Sequence, residues 1–197
     1  MRDDNRPAAI FDSCLFVRAM HGLYHSGQPS VEEERAAKVL THAFNGNAIK
    51  LCFTRDTWDE LHDVVIHPDH SSVDSKQRLK FLEEVRQNTF SDMLGLVEPG
   101  FVAHPYRERE ISENKILAAA SGAEAAVIVT ENKALLKKQS VEGCFIISAK
   151  TYSETVMEGL PLSELVYEDV QGKRRVSQRQ NRQNTVRPCY PALAAAR

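Results

Sequence analysis

The sequence is short of several things, and each shortage closes off a class of protein. It has no long apolar run: the best candidates, "LAAASGAEAAVIV" (117–129) and "CFIIS" (144–148), are broken or brief. A membrane helix needs about 20 predominantly apolar residues in succession, so no membrane partner is expected. The opening "MRDDNRPAAIF" carries acids where a secretory signal needs a basic and then an apolar stretch, which points to a cytoplasmic protein. Cysteine is scarce and scattered: Cys14, Cys52, Cys144 and Cys189 include no CxxC pair that would suggest zinc. Cys14, Cys52 and Cys144 lie in apolar segments and are expected as buried small hydrophobes. The seven histidines include no HExxH or other paired spacing, and His62, His67 and His70 are expected to face solvent rather than a metal. Acids are missing altogether after Asp169, whereas seven basic residues follow from Lys173 onward.

What remains is enough for one folded body. The chain has 197 residues, 42% of them hydrophobic, which suits a single domain with length to spare for an extension. The first 172 residues hold 18 basic against 27 acidic side chains, a balance of −9, so an acidic body precedes a basic tail. The tail "GKRRVSQRQNRQNTVRPCYPALAAAR" (172–197) is polar and almost free of large apolar residues. We expect a domain over 8–157 and a basic, flexible extension over 158–197 that orders on a partner or stays solvated. Basic arms of this kind bind nucleic-acid phosphates without reading sequence.

Along the body, strand and helix patterns alternate. "AAIFDSCLFV" (8–17) is an apolar run broken by one acid and suits a buried parallel strand ending at Asp12. "SVEEERAAKVLTHAF" (30–44) opens with a Ser30/Glu33 capping box and continues with helical periodicity. "NAIKLCFT" (47–54) reads as a strand, and "RDTWDELHDVVI" (55–66) as a helix with Trp58, Leu61 and Val65 on one face and Pro68 as its stop. The longest helix is expected within 72–94, with Leu79, Leu82, Val85 and Phe90 inward, and short extended pieces flank Pro99-Gly100. A helix capped by Ser112, the strand "AVIVT" (126–130), a short helix "NKALLKK", the strand "CFIIS" and a helix "AKTYSETV" complete the order. This alternation implies an α/β domain with a mainly parallel sheet flanked by helices.

In such sheets ligands bind beyond the carboxyl ends of the strands. Asp12 ends the first strand, Glu131 and Asn132 follow "AVIVT", Glu113 opens a helix expected to start on the same rim, and Glu60 lies in the helix after the second strand. Carboxylates gathered on one edge repel each other unless a cation neutralises them. Oxygen-only ligands suit Mg2+ or Mn2+, ions that polarise a phosphodiester and activate water. Each residue also has a plainer reading. Glu60 can be a solvated helix residue, Glu113 a favourable first-turn charge, and Glu131 and Asn132 the start of a short helix. Asp12, an acid closing an apolar strand, is the hardest to explain by structure alone.

Four stretches carry a resemblance. "AAIFDSCLF", "TRDTWDELHDVVIHP", "REISENKILAAA" and "AEAAVIVTENKALL" resemble, in order and spacing, the motifs of the PIN-domain family, specifically its VapC-like toxin components of toxin–antitoxin systems. The resemblance covers roughly residues 8 to 155. It implies a three-layer α/β/α fold with a mainly parallel central sheet. It also implies a Mg2+- or Mn2+-dependent endoribonuclease that hydrolyses single-stranded RNA, a homodimer, and an antitoxin protein as partner. Carried across position by position, the family's acidic site falls on Asp12, Glu60, Glu113 and Asn132, with Glu131 in the place of a glycine and available as a further metal ligand. Glu113 stands where the family has Asp, and Asn132 where it has a charged Asp. Ser13 matches the small hydroxyl residue beside the first acid, and Cys14 replaces an Asn. Ser13, Arg109, Lys173, Arg174 and Arg175 are candidates for nucleic-acid contact, and Glu110 and Ser112 for orienting ligands. The rival expectation is a PIN-like module with a degraded metal site that binds RNA or a protein.

Overall fold

A computed structural model of the chain describes residues 6–45, 48–67, 72–90, 96–100, 111–141 and 143–160, and the strand backbones of 166–168 and 174–176. The elements run β1 (Ala8–Phe11), α1 (Ser13–Tyr24), α2 (Val31–Asn45), β2 (Lys50–Leu51), α3 (Arg55–Ile66), α4 (Ser75–Phe90) and α5 (Ile111–Gly122). There follow β3 (Val127–Val129), α6 (Lys133–Leu136), β4 (Ser140–Val141), β5 (Cys144–Ile147), α7 (Ala149–Thr155), β6 (Val166–Glu168) and β7 (Arg174–Val176).

The main sheet has the order β2-β1-β3-β5-β4, parallel throughout except that β4 returns antiparallel beside β5. A bridge between Phe53 and Leu96, with Val97 N–H donating to the Phe53 carbonyl at 2.8 Å, extends the edge beyond β2. The period of two along the strands sorts their side chains between two cores. Ala9, Phe11, Val127 and Val129 join residues of α1, α2, α3, α4 and α7, whereas Ile10, Ile128 and Ile146 join α5 and Leu135 of α6. Helices thus cover both faces, which is compatible with a three-layer α/β/α fold. None of the described helices is long and apolar enough to cross a membrane.

Most of the expected elements are present. The Ser30/Glu33 capping box forms in both directions, with Ser30 N–H donating to Glu33 Oε2 at 2.8 Å and Glu33 N–H donating to Ser30 Oγ at 3.2 Å. α3 occupies 55–66 and buries Leu61 and Val65 with Trp58 packed against the same core. It stops at Ile66, capped by His67, and Pro68 and His70 lie outside the described residues.

Four expectations are corrected. The run 8–17 is not one strand and its aftermath: Asp12 ends β1 and immediately caps α1, whose Leu15, Phe16, Ala19 and Met20 form a buried helical stripe. On α4, Leu79 is 57% exposed, and Phe81 packs inward with Leu82 and Val85 instead. α5 begins at Ile111, one residue before the expected cap Ser112. The C-terminal stretch is not featureless, since β6 and β7 pair antiparallel with Val166 opposite Val176, the β-branched and aromatic residues there favouring strand. Cys52 and Cys144 are buried as expected, whereas Cys14 is only half-buried. Between α1 and α2, a Cβ on Gly22 would run into the backbone carbonyl of Glu33, so only glycine permits this helix approach.

Candidate functional site

The strand order places a topological switch point between β1 and β3: the chain leaves β1 for β2 on one side, while β3 lies on the other. Crevices form at the carboxyl ends of such a pair. Phe11 is paired with Val129 in register, so the next residues, Asp12 and Thr130, leave the sheet side by side. Two further ladder bonds set their height: Asp12 N–H donates to the Val129 carbonyl and Thr130 N–H to the Ile147 carbonyl, each at 3.0 Å.

Asp12 is only 7% exposed. Burying a carboxylate is costly unless donors replace its water, and here three do. Thr130 Oγ1 donates to Oδ2, Ser13 Oγ lies 3.3 Å from Oδ1, and the Cys14 N–H lies 3.4 Å from the same oxygen as part of the α1 cap. The positive end of the α1 dipole faces the same carboxylate. Ser13 also connects Asp12 to the next acid, its Oγ donating to Glu60 Oε1 at 3.1 Å. Glu60 stands in the second turn of α3, whose start is set by the buried Thr54/Thr57 capping box. Its other oxygen, Oε2, is 3.7 Å from Lys115 Nζ on α5.

The second branch runs through Thr130. Its buried hydroxyl accepts the Asn132 N–H at 2.9 Å while donating to Asp12. Asn132 caps α6 with its side-chain oxygen, accepting the Ala134 N–H at 2.8 Å, and turns its amide nitrogen to Glu113 Oε1 at 2.8 Å. Asp12, Ser13, Glu60, Asn132 and Glu113 are therefore joined in one hydrogen-bonded chain. Glu131 is not part of it. Its Oε1 accepts the Ala149 N–H at 2.9 Å, holding the start of α7, and its Oε2 is 4.0 Å from Arg18. Arg109, Glu110 and Lys173 lie outside the described residues, as do the side chains of Ser112, Arg174 and Arg175.

Two residues of this group escaped the sequence reading. Thr130 closes an apolar strand and reads as its polar stop. Lys115 is two residues from Glu113, and its pairing with Glu60 depends on how α3 and α5 cross. The half-buried Cys14, beside Asp12, is no nucleophile: burial and then the Asp12 charge push its thiol up to about 12.

The donors are carboxylate oxygens with an amide neighbour, the right kind for Mg2+ or Mn2+. Their spacing is less complete. Among the described residues, no three Asp, Glu, His or Cys side chains form a group that could hold an ion. The acids are instead tied to hydroxyls, an amide and an ammonium, so an ion would have to draw them together. No protein-family model matches the chain, and neither a curated protein nor a solved structure matches it.

Proposed function

We propose that the chain is a PIN-like, metal-dependent endoribonuclease acting on single-stranded RNA, of the toxin component kind. One observation carries this reading: Asp12, Glu60, Glu113 and Asn132, four positions spread over 120 residues, meet at the switch point of the sheet in a single bonded chain. Asp12, Glu60 and Glu113 would hold a Mg2+ or Mn2+ ion. Such an ion, when bound, supplies positive charge that polarises a phosphodiester and acidifies water. The protein's own residues do the positioning. The α1 cap and Thr130 aim Asp12, Ser13 holds Glu60 toward it, and Asn132 steadies Glu113. The basic residues from Lys173 onward would attract the RNA backbone that the acidic body repels. A homodimer, an antitoxin partner and a cytoplasmic location accompany this reading.

A second reading, a binding module with a degraded site, is favoured by the placement of Asn132. Its oxygen is used as a helix cap, and the group it offers Glu113 is a donor. Cleavage of a single-stranded RNA with Mn2+ separates the two, comparing wild type with Asp12→Asn and Glu60→Gln. Activity in wild type that both variants lose supports the nuclease, whereas equal activity in all three sinks it.

A further inference from the structure

The acids at the switch point are not left to repel one another. Lys115 projects from α5 to within 3.7 Å of Glu60 Oε2, while the other oxygen of Glu60 is held by Ser13 on the Asp12 side. Both groups are partly sheltered, with side-chain exposures of 36% for Lys115 and 22% for Glu60. Charges in that setting interact more strongly than they do in open water. Glu113 belongs to the same helix as Lys115, and its Oε1 is occupied by Asn132. Three carboxylates and one ammonium leave a formal charge of −2, which a single divalent ion would cancel.

Resting on the nuclease reading above, we infer that Lys115 is the resident counter-ion of this edge, competing with the metal for Glu60 and limiting the site to one divalent ion. Its ammonium stabilises the acids when no metal is bound, and it weakens metal binding because the pair with Glu60 must open or share its charge. Asn132 acts in the same direction by withholding a fourth negative charge.

The test is a calorimetric titration of the full chain with Mn2+, without RNA, on wild type, Lys115→Met, Lys115→Arg and Asp12→Asn. Thermal melting of each in EDTA runs alongside. The expected result is one ion bound by wild type, binding about tenfold tighter in Lys115→Met, near wild-type affinity in Lys115→Arg, and none in Asp12→Asn. In EDTA, Lys115→Met should melt below wild type, and Mn2+ should raise its melting temperature by more. Two ions in wild type would overturn the inference while leaving the nuclease reading standing. So would unchanged or weaker Mn2+ binding in Lys115→Met, including the case in which that variant loses only RNA affinity, which would make Lys115 a phosphate contact. No Mn2+ binding by wild type would remove the reading and the inference together.

Discussion

At the carboxyl ends of β1 and β3 the sheet opens onto Asp12, Glu60, Glu113 and Asn132, bonded to one another through two hydroxyls. At the amino ends of β3 and β5 the same sheet borders a cavity of about 380 Å³ lined by small and apolar residues such as Ala120, Ala125, Val141 and Cys144. The cavity offers room without chemistry: burial pushes the Cys144 thiol up to about 12, so it remains protonated and unreactive at neutral pH. The carboxyl edge offers little room but a dense set of oriented polar groups. The difference follows from how a parallel sheet is wired. Each strand's carboxyl end feeds a helix N-terminus, as Asp12 does for α1, Thr54 for α3, Asn132 for α6 and Ser148 for α7. Capping residues are polar by necessity, so this edge collects polar side chains, and volume alone is a poor guide to where a reaction would be performed.

Substitutions at the two edges should separate sharply. The largest contrast is in catalysis. Asp12→Asn is expected to lower Mn2+-dependent RNA cleavage by at least about a hundredfold, roughly 2.7 kcal/mol, with circular dichroism unchanged. Next comes stability. Thr130→Val keeps the shape but strips Asp12 and the Asn132 N–H of their shared hydroxyl, which should cost about 1–3 kcal/mol in urea unfolding. A cost near zero would mean that the bridge is incidental. Asn132→Asp should be milder. Replacing the bond to Glu113 by two facing carboxylates ought to destabilise the metal-free protein by about 1 kcal/mol. Mn2+ should then restore stability more effectively than in wild type, read by melting with and without the ion.

The smallest effects belong to the amino edge and to alkaline pH. Cys144→Ala should leave cleavage within about twofold of wild type, ~0.4 kcal/mol. Cys14 and Cys144 titrate at about 12 when folded, against a model value of 9.0. The native protein therefore holds these protons after the unfolded chain has released them. Their contribution to stability is complete below about pH 9 and is lost as pH rises through the folded value near 12. Urea midpoints should fall across that window, and less steeply in a Cys14→Ser/Cys144→Ala variant. A pH-independent midpoint would contradict the burial of these thiols.

Much of the carboxyl edge was legible before any coordinates, because the signals were local. An acid closing an apolar run, a Ser-x-x-Glu box and a polar stop after "AVIV" each carry their own physical reason. The rest depends on contacts that no local pattern encodes. α1 was hidden because its apolar stripe continues the apolar run of β1 across Asp12, and a short run of that kind suits strand and helix alike. Glu131 and Asn132 are adjacent in the chain, yet one serves α7 and the other Glu113, a division set by where α7 begins relative to β3. The Lys115–Glu60 pair joins two helices far apart in sequence. Leu79 has the right spacing for the core but falls on the outer side of α4, with Phe81 taking the inner position.

The bond between Thr130 and Asp12 spans 118 residues, and that distance bears on when the edge comes into being during synthesis. A nascent chain that has released α1 to α4 still lacks β3, the strand that sits beside β1. It also lacks β5, which supplies the carbonyl that fixes Thr130. Long-range parallel pairing is slow to form, and domains fold as units during translation. A nuclease built this way would leave the ribosome with its acids still apart, harmless to the message being read until the last third of the chain had emerged.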